Sequence, residues 1–169
     1  RKHLRRIMPT EAATLLRQMM DAAVSAADPA TVLARHLPEK PTGRCIVLGA
    51  GKSAAAMARA VEKAWPDVEL SGLVVTRYGH SAPTDRITVR EAAHPVPDEA
   101  GLAATQEILD IAHAAGPDDL VLFLVSGGGS ALLTAPVPPL TLADKIEVNR
   151  RLLGSGLAIA DMNRIRRRL

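Results

Sequence analysis

The stretch Cys45-Ile46-Val47-Leu48-Gly49-Ala50-Gly51-Lys52-Ser53-Ala54 constrains the fold of this chain more than any other. A short apolar run with the character of a buried strand feeds a glycine turn that carries one lysine, and an alanine-rich helical segment follows. Strand, turn and helix in that order are the building unit of a sheet covered by helices. Glycine lets the backbone approach a ligand closely, and a helix start turns unpaired N–H groups toward an anion. Lys52 is thereby placed to meet a phosphate or a carboxylate, with Gly49, Gly51 and Ser53 as candidate binding positions around it. The turn is not a P-loop, which needs a glycine where Ile46 stands. It does fit the G-x-G-x-x-A form of the dinucleotide-binding pattern, from Gly49 to Ala54.

The alternation continues along the chain. Helices are expected over residues 11–27, from Asp28-Pro29 to about His36, over 52–65 and over 99–115, the last capped by Asp98. Strands are expected at 45–48, 72–76, 87–92 and 120–125. All six residues of Leu120-Val121-Leu122-Phe123-Leu124-Val125 are apolar, which predicts a central position in a parallel sheet covered on both faces. A helical turn and a proline loop follow, then a helix over 142–153 capped by Thr141 and a last helical stretch beyond Gly154-Ser155-Gly156. The predicted architecture is a doubly wound, mainly parallel α/β sheet with helices on both faces, Rossmann-like. Only 2% of the 169 residues are aromatic against 47% hydrophobic, so Ala, Leu, Val and Ile must build the core.

No apolar run approaches the roughly 18 residues of a membrane span, and no signal-peptide pattern opens the chain. The single cysteine, Cys45, permits no internal disulfide and fits a core thiol in a reducing cytoplasm. Basic residues gather at the ends, at Arg1-Lys2-His3 with Arg5-Arg6 and at Arg164 with Arg166-Arg167-Arg168. No aromatic residues interleave with them, which argues against nucleic acid as a partner. Residues 1–10 read as a basic leader and 11–169 as one α/β domain. An arginine-rich helical segment that stops at Leu169 without a cap suggests a truncated domain, whose bared apolar surface would favour self-association.

A second glycine turn, Ser126-Gly127-Gly128-Gly129-Ser130, closes the fourth strand. Ligands of open α/β sheets bind at the carboxyl edge of the strands, so both turns are expected to face one cleft. The triple glycine suggests a backbone nest for an anion. Lys52 carries the wrong charge for a helix start unless an anion sits there. His94, before Pro95, either binds substrate or caps a turn; His80 is similar, with more weight on the ordinary role. His3, His36 and His113 have no partners at metal spacing, and no His, Cys or carboxylate cluster has zinc spacing. Ser126 and Ser130 do not form a G-x-S-x-G elbow. Asn163 and Arg166 share a helix face, either as a carboxylate or phosphate clamp or as surface residues.

Taken in order, Gly49-Ala50-Gly51-Lys52, Tyr78-Gly79-His80, His94-Pro95-Val96-Pro97-Asp98-Glu99-Ala100-Gly101, Ser126-Gly127-Gly128-Gly129-Ser130-Ala131-Leu132-Leu133, Ser155-Gly156 and Met162-Asn163-x-x-Arg166 resemble the amino-terminal part of the MOFRL-type glycerate 2-kinases. Members of that family were often labelled hydroxypyruvate reductases. The resemblance runs from about residue 15 onward and implies ATP- and Mg2+-dependent phosphorylation of the 2-hydroxyl of D-glycerate. It implies that Lys52 is catalytic, that the Ser126–Ser130 turn holds phosphate or carboxylate, and that Asn163 and Arg166 bind substrate or phosphate. The family pattern continues past the Asn-x-x-Arg segment into a Lys-Gly-Gly turn and a second domain, so the polypeptide alone is expected to be inactive.

Two other readings remain. An NADP-dependent hydroxypyruvate reductase would use the Gly49–Ala54 pattern and Arg77 for a 2′-phosphate, although the acid such folds use has no counterpart beyond Glu69. A non-catalytic sugar-phosphate-binding domain would bind without turnover.

Overall fold

A computed structural model describes residues 11–169; the basic leader, with His3, lies outside the described residues. Four parallel strands form one sheet in the order β3-β2-β1-β4, with β1 Cys45–Ala50, β2 Leu70–Arg77, β3 Thr88–Ala92 and β4 Leu120–Val125. Helix α1 spans Glu11–Ala27, and α2, Pro29–Val32, runs into a 3-10 turn over Leu33–Arg35. Helices α3, Ala54–Ala64, and α4, Glu99–His113, connect strands, and α5 is the short Gly129–Leu132. Helices α6, Leu142–Gly154, and α7, Ile159–Arg166, close the described chain.

Strand β1 is paired on both sides and every one of its residues is buried. Alternation decides which face each residue serves. Cys45 and Val47 join Val74 and Leu124 against Ala54, Ala58, Val61 and Trp65 of the α3 side. Ile46 and Leu48 join Leu73 and Val75 against Ala104 and Ile108 of α4. The sheet is therefore wound on both faces, as the alternation of the sequence requires. Small alanines in α3, with Ala54, Ala55 and Ala58 fully buried, let it lie close on the strands in a core that holds Trp65 as its one aromatic residue.

Close approach also sets two glycines. A Cβ at Gly49 would lie 2.4 Å from the Leu124 carbonyl oxygen, and one at Gly72 would lie 2.0 Å from that of Val47. Glu62 supplies a further anchor. Its buried carboxylate accepts the amide N–H groups of Asp85, Arg86 and Ile87 at 2.9, 2.7 and 2.9 Å, fixing the entry to β3 against the end of α3.

One expectation is corrected. Strand β4 lies at the end of the described sheet, not at its centre. Leu120, Leu122 and Leu124 face the α3 core, whereas Val121, Phe123 and Val125 are exposed on the side where α4 covers β2 and β3. Full apolarity announced that both faces were made to be covered, and only one is covered here. The apolar stripe of α1, with Leu15, Leu16, Met19, Met20 and Val24, is likewise exposed.

Candidate functional site at the carboxyl edge of the sheet

Strands β1 and β4 are parallel neighbours in register from Cys45 with Leu120 to Ala50 with Val125, so their following turns leave the sheet side by side. Hydrogen bonds stitch the two turns together. The Lys52 N–H donates to the Gly127 carbonyl at 2.8 Å, the Ser53 N–H to Ser126 Oγ at 3.0 Å, and the Ser126 N–H to the Ala50 carbonyl at 3.1 Å. The Gly51 N–H donates to Val75 at 3.0 Å. Gly51 holds φ +137°, and a Cβ there would lie 2.1 Å from Ser126 Oγ, so only glycine lets the turns meet.

This geometry revises the first turn. Gly49 lies inside β1, and the amides of Gly51, Lys52 and Ser53 are spent within the protein, so they do not face an anion. What the turn offers a ligand is side chains, chiefly the exposed Lys52. The second turn is different. Among the described residues, the amide N–H groups of Gly127, Gly128, Gly129 and Ser130 have no acceptor in the protein.

Gly128, at φ +92°, is where the pieces meet. A Cβ on it would lie 2.8 Å from Cδ2 and Nε2 of His94 and 3.4 Å from Cε of Lys52. His94 comes from the loop between β3 and α4, which Asp98 secures. The Asp98 carboxylate caps α4 through the Gly101 N–H at 3.0 Å and accepts the Tyr78 hydroxyl at 2.8 Å. Burial opposes ionisation of Asp98, yet these hydrogen bonds win and hold its pKa below the ordinary carboxylate value. Burial pushes the His94 pKa down, and the positive charges of Lys52, Arg77 and Arg166 push it the same way. Both effects favour the neutral form of the imidazole.

Beside these residues opens a cavity of about 570 Å3, walled by His94, Gly128 and Ser130 on one side and by Lys145, Asn149, Asn163 and Arg166 on the other. No Asp or Glu lines it. Asn163 and Arg166 share a face as their spacing predicts, with Arg166 Nη1 donating to Asn163 Oδ1 at 3.2 Å. Lys145 and Asn149 were not expected. Burial lowers the pKa of Lys145. Both residues interrupt the inward stripe of α6 defined by the buried Leu142 and Leu152, and that interruption was the available signal. His80, His36 and His113 are exposed and away from the cavity. Among the described residues no group of His, Cys, Asp and Glu could hold a metal ion, and no helix is long and apolar enough to cross a membrane.

A family described as a domain of unknown function, DUF4147, matches residues 15–169. A protein of Agrobacterium vitis named "Putative hydroxypyruvate reductase" is 55% identical over 155 residues, covering 92% of this chain and 35% of that protein. The D-glycerate 2-kinase of Thermotoga maritima is 35% identical over 153 residues, covering 90% of this chain and 37% of that enzyme. The crystal structure of glycerate kinase from Thermotoga maritima superposes with a TM-score of 0.77 at 34% identity, covering 89% of this chain and 36% of that one. The chain thus spans little more than a third of the length of these relatives. With its turns, its sheet and these likenesses together, the chain belongs to the DUF4147 family, the amino-terminal domain of the MOFRL-type glycerate kinases.

Proposed function

We propose that this domain forms the phosphate- and acid-binding wall of a D-glycerate 2-kinase, which moves the terminal phosphoryl group of ATP onto the glycerate 2-hydroxyl. The observation that carries the reading is the meeting of Lys52 and His94 over Gly128, beside a cavity edged by Arg166 and lined by no Asp or Glu side chain. Phosphoryl transfer asks a protein mainly to position groups and neutralise charge on the transferring oxygens. Lys52 meets the phosphoryl oxygens as they gain charge, the free amides of Gly127 to Ser130 cradle phosphate, and Ser53 and Ser126 shape the turn beneath. Asn163 and Arg166 hold the glycerate carboxylate. Neutral His94 accepts a hydrogen bond from the acceptor hydroxyl, which an imidazolium could not do.

The cavity fits a nucleotide's phosphate chain in charge. For Mg2+ it supplies no carboxylate, so no step of this chain is assigned to the metal. The relatives have a further length of chain outside the matched region, and we place the opposing wall of the cleft there, with the domain alone unable to turn over. The reductase reading asks the amides of the Gly49–Ser53 turn to face a pyrophosphate, and those amides are engaged elsewhere.

Binding can be read on His94 itself. In the ligand-free protein its ring should titrate below the ordinary histidine value of about 6.5. Adding 2-phosphoglycerate should move that titration upward, because an anion offsets the three cations that now disfavour the imidazolium. NMR of the ring carbons at graded pH measures both numbers. An unmoved His94 at saturating ligand places the phosphorylated acid elsewhere and rejects the proposal.

A further inference from the structure

The guanidinium of Arg166 is held entirely by side-chain amides. Its Nε and Nη2 donate to a single oxygen, Asn149 Oδ1, at 3.0 and 2.7 Å, and Nη1 donates to Asn163 Oδ1 at 3.2 Å. Every one of these acceptors is a neutral amide. Arg44, Arg90, Arg151 and Arg164 by contrast each pair with a carboxylate. A carboxylate would orient Arg166 and cancel its charge at the same time; an amide orients it and leaves the charge whole. Asn149 is itself only 7% exposed. Its Nδ2 donates to the Pro95 carbonyl at 2.7 Å, so the same side chain grips the loop that carries His94. One buried amide therefore fixes both the aim of Arg166 and its spacing from His94.

We infer that Asn149 is a positioning residue that presents Arg166 to the cavity as an oriented, unneutralised cation for the anionic group of the substrate. The inference rests on the anion-site reading above and adds to it the device that keeps the site charged. A purely structural clamp between α6, α7 and the His94 loop makes a different prediction. For such a clamp the loss on changing position 149 runs through the Pro95 carbonyl and the His94 loop, and it persists in full when Arg166 is absent.

The test uses inorganic sulfate, which stays a dianion across the working pH range, titrated calorimetrically into the full-length protein and its variants. Asn149→Asp keeps acceptors for Arg166 and cancels its charge, but it also gives up the hydrogen bond to the Pro95 carbonyl, a loss that Asn149→Ala shares. Asn149→Asp should weaken sulfate binding about tenfold or more while circular dichroism still reports a folded protein. Asn149→Ala removes the grip and should weaken binding by a similar factor. In an Arg166→Ala background it should add almost nothing, since the two residues act as one unit. Asn149→Ala also covers the case in which Asn149→Asp does not fold. In the kinase assay either variant should raise KM for glycerate more than it lowers kcat. Sulfate binding that is unchanged in the folded variants, or a full additive loss in the Arg166→Ala background, overturns the positioning role while leaving the anion site standing. Failure of the wild-type protein to bind sulfate overturns both.

Discussion

Lys52→Ala should lower glycerate phosphorylation by the full-length protein about a thousandfold and leave its stability unchanged or slightly raised. The asymmetry follows from which part of Lys52 the fold uses. Its backbone N–H bonds Gly127 and survives the substitution, and its side chain is exposed. A cation just ahead of the first turn of α3 opposes the helix dipole, so removing it relieves a small electrostatic cost. Lys52→Arg separates charge from shape. The longer planar fork cannot occupy the same point beside Gly128, so rescue should be partial. A steady-state assay with D-glycerate and ATP beside a urea titration reads both effects. A loss of activity that tracks a loss of stability would show that Lys52 serves the fold instead.

Gly72→Ala should produce the opposite pattern, a large loss of stability with no chemical role. Gly72 lies on β2 opposite Val47 at φ +131°, and its added Cβ would stand 2.0 Å from a backbone oxygen that cannot move without breaking the sheet. Overpacking and backbone strain together should cost about 3 kcal/mol or more. Gly79→Ala is the control. Gly79 also has positive φ, +74°, but nothing lies within 4 Å of its added Cβ, so only the conformational cost of about 1 kcal/mol remains. Equal midpoints for the two variants in urea would contradict the packing argument.

Much of this architecture was legible because its signals are local. Thr141 and Asp98 cap α6 and α4 as their side-chain chemistry predicts, and β4 begins and ends with its apolar run. The two glycine turns could be read as one site because a parallel pair must release its turns on the same edge. Strand order is not local information. Apolarity on both faces of β4 says that both want cover, and it carries no record of what provides it, so the expected central place became an end position. The Gly49–Ser53 turn shows the same limit. A motif shows amides near a helix start but not the neighbouring turn that consumes them. Asn149 escaped notice because its partners, Pro95 and Arg166, lie 54 and 17 residues away.

The central claim is that this carboxyl edge serves phosphoryl transfer to glycerate and not hydride transfer to hydroxypyruvate. Phosphorus NMR of the full-length protein with D-glycerate and Mg-ATP, run against an NADPH absorbance trace with hydroxypyruvate, decides it most directly. The account predicts a growing 2-phosphoglycerate resonance matched by ADP, and a flat NADPH trace. Hydroxypyruvate-dependent NADPH oxidation without any 2-phosphoglycerate would contradict it.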